Sequence, residues 1–189
     1  SIDALLADDA IEAVVIATPA VTHGTLVRRG LEAGKHVFVE KPLCLDIEEA
    51  EELRDLATKF GRTLMVGHLL LYHPAFRAVK NLVAQGRLGK LRYIYSNRLS
   101  LGKIRREENA LWSFAPHDIS MILSLAGQMP SSVVATGGHF LDTKVADTTL
   151  SQLTFDGNLQ AHVFVSWLHP YKDQRLIVVG EGGMVAFND

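Results

Sequence analysis

Three short apolar segments, each stopped by residues that end a strand, constrain this chain most. Residues 13–17 (Ala-Val-Val-Ile-Ala) run into Thr18-Pro19, residues 36–40 (His-Val-Phe-Val-Glu) into Lys41-Pro42, and residues 63–66 (Thr-Leu-Met-Val) into Gly67-His68. A wholly apolar run this short predicts a strand buried on both faces. Residues 22–33 between the first two runs read as a helix stopped by Gly34. Asp46 caps a second helix, in which Ile47, Ala50, Leu53, Ala57 and Phe60 recur three or four apart before Gly61. Strands separated by amphipathic helices need right-handed crossovers, and therefore form a parallel sheet. Ser1 caps a further helix over residues 2–7.

After Gly67 the pattern changes. Residues 74–85 and 116–126 read as helices, whereas 90–99, 133–139, 148–155, 159–167, 175–180 and 184–187 are mostly alternating strands, with Asp156-Gly157 as a hairpin turn. The expected fold is an α/β first half, residues 1–68, followed by an α+β half, residues 69–189, whose mostly antiparallel sheet carries helices on one face. The far face, holding Val163, Val165 and Trp167 or their alternate neighbours, needs cover, which predicts a homo-oligomer through this sheet. The opening helix and the last strand are expected to be internal elements of a longer chain.

Composition narrows the partners. Lys and Arg number 19 against 21 Asp and Glu, a formal charge of −2, which argues against nucleic acid or an anionic membrane. No apolar run approaches the ~18 residues of a membrane span. Cys44 is the only cysteine, so intrachain disulfides and multi-thiolate zinc are excluded and a reducing, cytoplasmic setting is expected.

Ligands of an open parallel sheet bind beyond the carboxyl ends of its strands. That rule selects Thr18 and Pro19 after the first strand, Glu40, Lys41 and Pro42 after the second, and Gly67 and His68 after the third. Lys41, between a carboxylate and a proline, reads either as a functional cation held in place or as a surface charge paired with Glu40. His117, one residue into a helix started by Pro116 and close to Trp112, Phe114 and Asp118, reads either as a proton acceptor or as a core or capping histidine. The pairs His68/His73 and His162/His169 lack the four-residue spacing of ligands on one helix face, so no metal is expected. Lys103-Ile104-Arg105-Arg106 is either a solvated loop or a phosphate clamp. Gly180-Glu181-Gly182-Gly183 is followed by strand residues and reads as a turn, not as a dinucleotide-binding glycine loop.

Ala17-Thr18-Pro19 with His23, Glu40-Lys41-Pro42 at a strand end, and His117 four residues after Ser113 together resemble the glucose-fructose oxidoreductase / inositol 2-dehydrogenase (Gfo/Idh/MocA) family over nearly the whole chain. The resemblance implies the second half of a Rossmann-type sheet, NAD or NADP as cofactor, and transfer of a hydride from a sugar hydroxyl. It implies that Lys41 lies by the nicotinamide and the substrate hydroxyl and that His117 is the acid/base. Thr18, Pro19, His23, Glu40, Pro42, Gly67 and His68 are then expected to border the cofactor. Ser113 stands where many members carry Asp, and Leu69 and Leu71 stand where Asn and Arg are common. Residues 67–74, Asn97-Arg98, 102–109 and 112–118 resemble a subgroup that makes sugars for bacterial surface polysaccharides. That subgroup implies a nucleotide-linked (UDP) amino sugar or uronate as substrate, met by Arg105, Arg106, Asn109, Trp112 and Ser113. The alternatives are a free sugar or polyol, and a non-catalytic nucleotide-binding regulator on the same scaffold.

Overall fold

In a computed structural model that describes residues 1–101, 104, 108–141 and 144–189, the chain divides into two units, Ser1–His68 and Leu69–Asp189. The first unit runs α1 (Ile2–Leu6), β1 (Ala13–Ile16), α2 (His23–Glu32), β2 (His36–Val39), α3 (Ile47–Phe60) and β3 (Leu64–Val66). Its three strands are parallel in the order β1-β2-β3, with Val15 opposite Phe38 and Phe38 opposite Met65. Asp46 accepts a hydrogen bond from Glu49 N and starts α3 where the sequence places it. Val27 and Leu31 of α2 and Leu53 and Ala57 of α3 pack with Ile16, Val37 and Val39 in one core.

The expected burial of β1 on both faces does not hold. Val15 is 74% exposed, and Ala13 and Met65 lie on the same open side. The strand order advances in one direction, so both crossovers, having the same hand, place their helices on one face. The apolar run records a strand, and the topology decides how much of it is covered.

The second unit contains a 3-10 turn (Leu69–Tyr72), α4 (Pro74–Ala84), β4 (Leu91–Leu101), α5 (Ala110–Ala126), β5 (Ser132–Gly138), β6 (Thr148–Phe155), β7 (Leu159–Ser166), β8 (Leu168–Gly180) and β9 (Gly183–Asn188). The six strands are ordered β5-β6-β7-β4-β8-β9, and among the described residues β4 with β7 is the one parallel pair. Ile94, Val163, Val165, Leu176 and Val178 pack with Phe76 and Val79 of α4 and Met121, Ile122 and Leu125 of α5. Val163, Val165 and Trp167 are fully buried, so the open face carries their alternates: Gln160 and His162, with Tyr93 and Tyr95 of β4 beside them. There the Tyr95 and His162 rings stack with centroids 5.1 Å apart.

Two boundaries differ from expectation. Pro116 lies inside α5, which begins at Ala110 with Asn109 as its cap, because a proline's missing N–H costs one intrahelical bond and a long packed helix tolerates that loss. β8 begins at Leu168 because its pairing with β4 reaches back through Asp173 and Leu168, past the polar, proline-containing stretch that hid it. No helix among the described residues is long and apolar enough to cross a membrane.

Candidate active site

In the first unit, the strand-end residues selected from the sequence come together because the parallel ladder continues past the strands. Glu40 N donates to Ile16 O at 2.9 Å and Gly67 N to Val39 O at 2.8 Å, which aligns the three exits. After β1, the Thr18 and Thr22 hydroxyls are 2.6 Å apart and Thr22 Oγ1 donates to Pro19 O at 2.8 Å, closing the loop into a compact turn. After β2, the Lys41-Pro42 peptide is cis and Pro42 is buried. After β3, a Cβ added to Gly67 would stand 3.1 Å from the Phe38 ring and 3.3 Å from Glu40 Oε2, so a larger residue there would push the ring or the carboxylate aside by a few tenths of an ångström.

His68 is half-buried, and its Nδ1 has no hydrogen-bond partner. Burial, and then the Lys41 ammonium, hold its ring below the ordinary histidine pKa. His23 is 1% exposed, with Nδ1 2.7 Å from Pro42 O and Nε2 2.8 Å from Thr18 O. Its ring is thus enclosed between the loops that follow β1 and β2.

In the second unit, α5 carries His117. Asn109 Oδ1 accepts from Trp112 N at 3.0 Å, so this residue caps the helix. Trp112 is 40% exposed in the first turn, while Ser113, one turn before His117, is 3% exposed. Arg105 and Arg106 lie outside the described residues. His117 is half-buried, with its Nδ1 buried.

The sequence reading missed what fixes α5. Asp118, 1% exposed, accepts Ser96 Oγ at 2.6 Å, Arg98 Nε at 2.7 Å and Arg98 Nη2 at 3.3 Å, and Arg98 Nη1 reaches Asp189 Oδ2 at 3.0 Å. Burial works against the Arg98 charge, but Asp118 and then Asp189 more than restore it and raise its pKa. Ser96 and Arg98 share the inward face of β4 with Ile94, and polar residues in an inward row were the available signal. A second buried acid, Asp147, accepts Phe140 N at 2.7 Å, Leu141 N at 2.8 Å and Trp167 Nε1 at 2.9 Å. Burial opposes its charge, yet these donors leave its pKa below the ordinary carboxylate value. Ala110 N donates to Ala146 O at 2.9 Å, so the loop that Asp147 holds also meets the first residue of α5.

Residues 1–68 match the family described as "Oxidoreductase family, NAD-binding Rossmann fold", and residues 76–186 match the "GFO/IDH/MocA C-terminal domain". Inositol 2-dehydrogenase of Rhizobium meliloti is 32% identical over 198 residues, covering 98% of this chain and 60% of the relative. UDP-N-acetylglucosamine 3-dehydrogenase of Acidithiobacillus ferrooxidans is 33% identical over 167 residues, covering 88% and 51%. The crystal structure of GenD2 from gentamicin A biosynthesis, in complex with NAD, superimposes with a TM-score of 0.92 at 26% identity, covering all of this chain and 57% of that one. The chain thus spans between 51% and 60% of the length of these two curated relatives.

Proposed function

Because the chain belongs to the GFO/IDH/MocA oxidoreductase family, we propose that the protein carrying it oxidises a secondary hydroxyl of a sugar or polyol with NAD or NADP. The observation that carries this reading is the alignment of the three strand exits of the NAD-binding unit, which brings Gly67 beside the Glu40 carboxylate, next to Lys41 and His68 in the chain. The residues fit such a cofactor. Glycine at 67 keeps open the space beside Glu40 that a Cβ would fill, and a carboxylate, an ammonium and the Thr18 hydroxyl match the hydroxyl and amide groups of a nicotinamide riboside.

Oxidising an alcohol removes a hydride from carbon and a proton from oxygen, and the cofactor supplies the hydride acceptor. The Lys41 ammonium then stabilises negative charge as it develops on the substrate oxygen. His117 accepts the hydroxyl proton. Ser113 offers a hydroxyl one turn away, where a carboxylate would bias the imidazole toward its charged form.

The finer reading of the substrate is a UDP-linked amino sugar or uronate, with the Arg105-Arg106 segment meeting its phosphates and Trp112 its ring. Both an inositol dehydrogenase and a UDP-sugar dehydrogenase resemble the chain at 32% and 33% identity, so the assay must include both substrate types. The open face of the six-stranded sheet, with Tyr93, Tyr95, Gln160 and His162, is proposed as the surface through which copies associate, and a whole protein that stays monomeric in concentrated solution scattering overturns that.

The test is NAD+ and NADP+ reduction by the whole protein against inositols, free sugars and UDP-linked sugars. At least one is expected to turn over, with turnover lost in Lys41→Ala and lowered roughly 10²-fold or more in His117→Asn. Reduction with none of them, or full activity in Lys41→Ala, overturns the assignment.

A further inference from the structure

We propose that His23 is a positioning residue, a two-armed clasp whose Nδ1 arm sets the loop bearing Lys41 and whose Nε2 arm sets the Thr18-Pro19 loop. The proposal rests on the reading of these loops as substrate- and cofactor-facing, and it goes beyond that reading by assigning the two nitrogens separable effects.

The geometry is specific. Pro42 O lies 2.7 Å from Nδ1 and Thr18 O lies 2.8 Å from Nε2, and both are carbonyl oxygens, which only accept. Each ring nitrogen therefore has to present an N–H, whereas a neutral imidazole has only one.

His23 opens α2, and that helix is anchored in the core by Val27 and Leu31. The ring is therefore fixed by packing and transmits that position to the loops that follow β1 and β2. Pro42 follows Lys41 directly, so the carbonyl that His23 holds belongs to the residue next to the one that carries the ammonium. Small displacements matter here, since a misplacement of about 1 Å at a reacting group can cost ~10² in rate. Being 1% exposed, His23 does this through the main chain without touching either ligand.

Two substitutions separate the arms. His23→Asn keeps an amide donor near the Nδ1 position and loses the Nε2 arm, and His23→Gln does the reverse. In the whole protein, His23→Asn is expected to weaken NAD+ binding by calorimetry roughly tenfold while kcat stays within about threefold. His23→Gln is expected to lower kcat roughly tenfold while NAD+ affinity stays within about threefold. A role confined to folding would lower the active fraction in both variants and leave affinity unmoved. A readout independent of turnover uses the unmutated protein with isotope-labelled histidine, in which NMR should show two protected ring N–H groups for His23. One N–H, or parallel losses in the two variants, overturns the clasp. Lys41→Ala separates this from the function itself. If it remains active the functional reading fails, and if it is inactive while the His23 variants behave alike the clasp alone fails.

Discussion

His23 in the parallel unit and Asp118 in the second unit are each 1% exposed, yet their partners differ in kind. His23 reaches main-chain carbonyls in two loops, whereas Asp118 takes hydrogen bonds from Ser96 and Arg98, two side chains of one strand. The first arrangement joins the loops that follow β1 and β2. The second joins a helix to a sheet, both of which already have their backbone bonds. Losing His23 therefore changes loop position, while losing Asp118 strands a buried charge. The largest effect follows from this. Asp118→Ala is expected to destabilise the protein by about 3–5 kcal/mol in urea unfolding, because Arg98 is left buried without its main partner. Asp189, 3.0 Å from Arg98, holds the cost toward the lower end. Adding Arg98→Leu should recover part of the loss. A single variant as stable as the parent would show that the pair is not the anchor of α5.

Asp147 sharpens the comparison, since its partners are mixed: two main-chain N–H groups and the indole of fully buried Trp167. Asp147→Ala leaves no buried cation behind, only neutral donors, so the expected cost is smaller, roughly 1–3 kcal/mol. Its mark should be local. Trp167 fluorescence and amide exchange at Phe140 and Leu141 should change, while amides of the parallel unit keep their protection. Equal losses in both units would mean that the acid's role is not confined to its loop.

The same contrast explains what could be read from the sequence. β2 and β3, α3 with its Asp46 cap, and the residues at the strand exits were legible, because apolar runs, helical spacing and a capping residue are all local signals. The Asp118–Arg98–Ser96 anchor was not, since it joins residues 96–98 to residue 118 across a helix-sheet interface, and the only local trace is polar residues in an inward row. The first turns of α5 were hidden by Pro116, which reads as a helix start when it stands alone. The exposure of Val15 was hidden for another reason. An apolar run does not say on which side its crossovers land. The enclosed place of His23 was hidden because its partners are carbonyl oxygens, which every residue has.

The smallest expected effect compares two histidines, one in each unit. Burial lowers the pKa of both His68 and His162, but only at His68 does a lysine charge, that of Lys41, add to the shift. Each ring, once folded, resists a proton that the unfolded chain accepts near the ordinary value of 6.5. The unfolded state then binds more protons, so stability from these groups is complete above that pH and is lost as pH falls through the folded values. Lys41→Gln removes only the charge at His68. Its pKa should move up toward the ordinary value while staying below it, because burial, the larger cause, remains. His162 should not move. An NMR titration of the ring protons in the parent and in Lys41→Gln measures both at once. A shift at His68 alone supports a Lys41 ammonium held at the third strand exit. No shift at His68 would place that ammonium elsewhere and remove the electrostatic support for its role on the substrate oxygen.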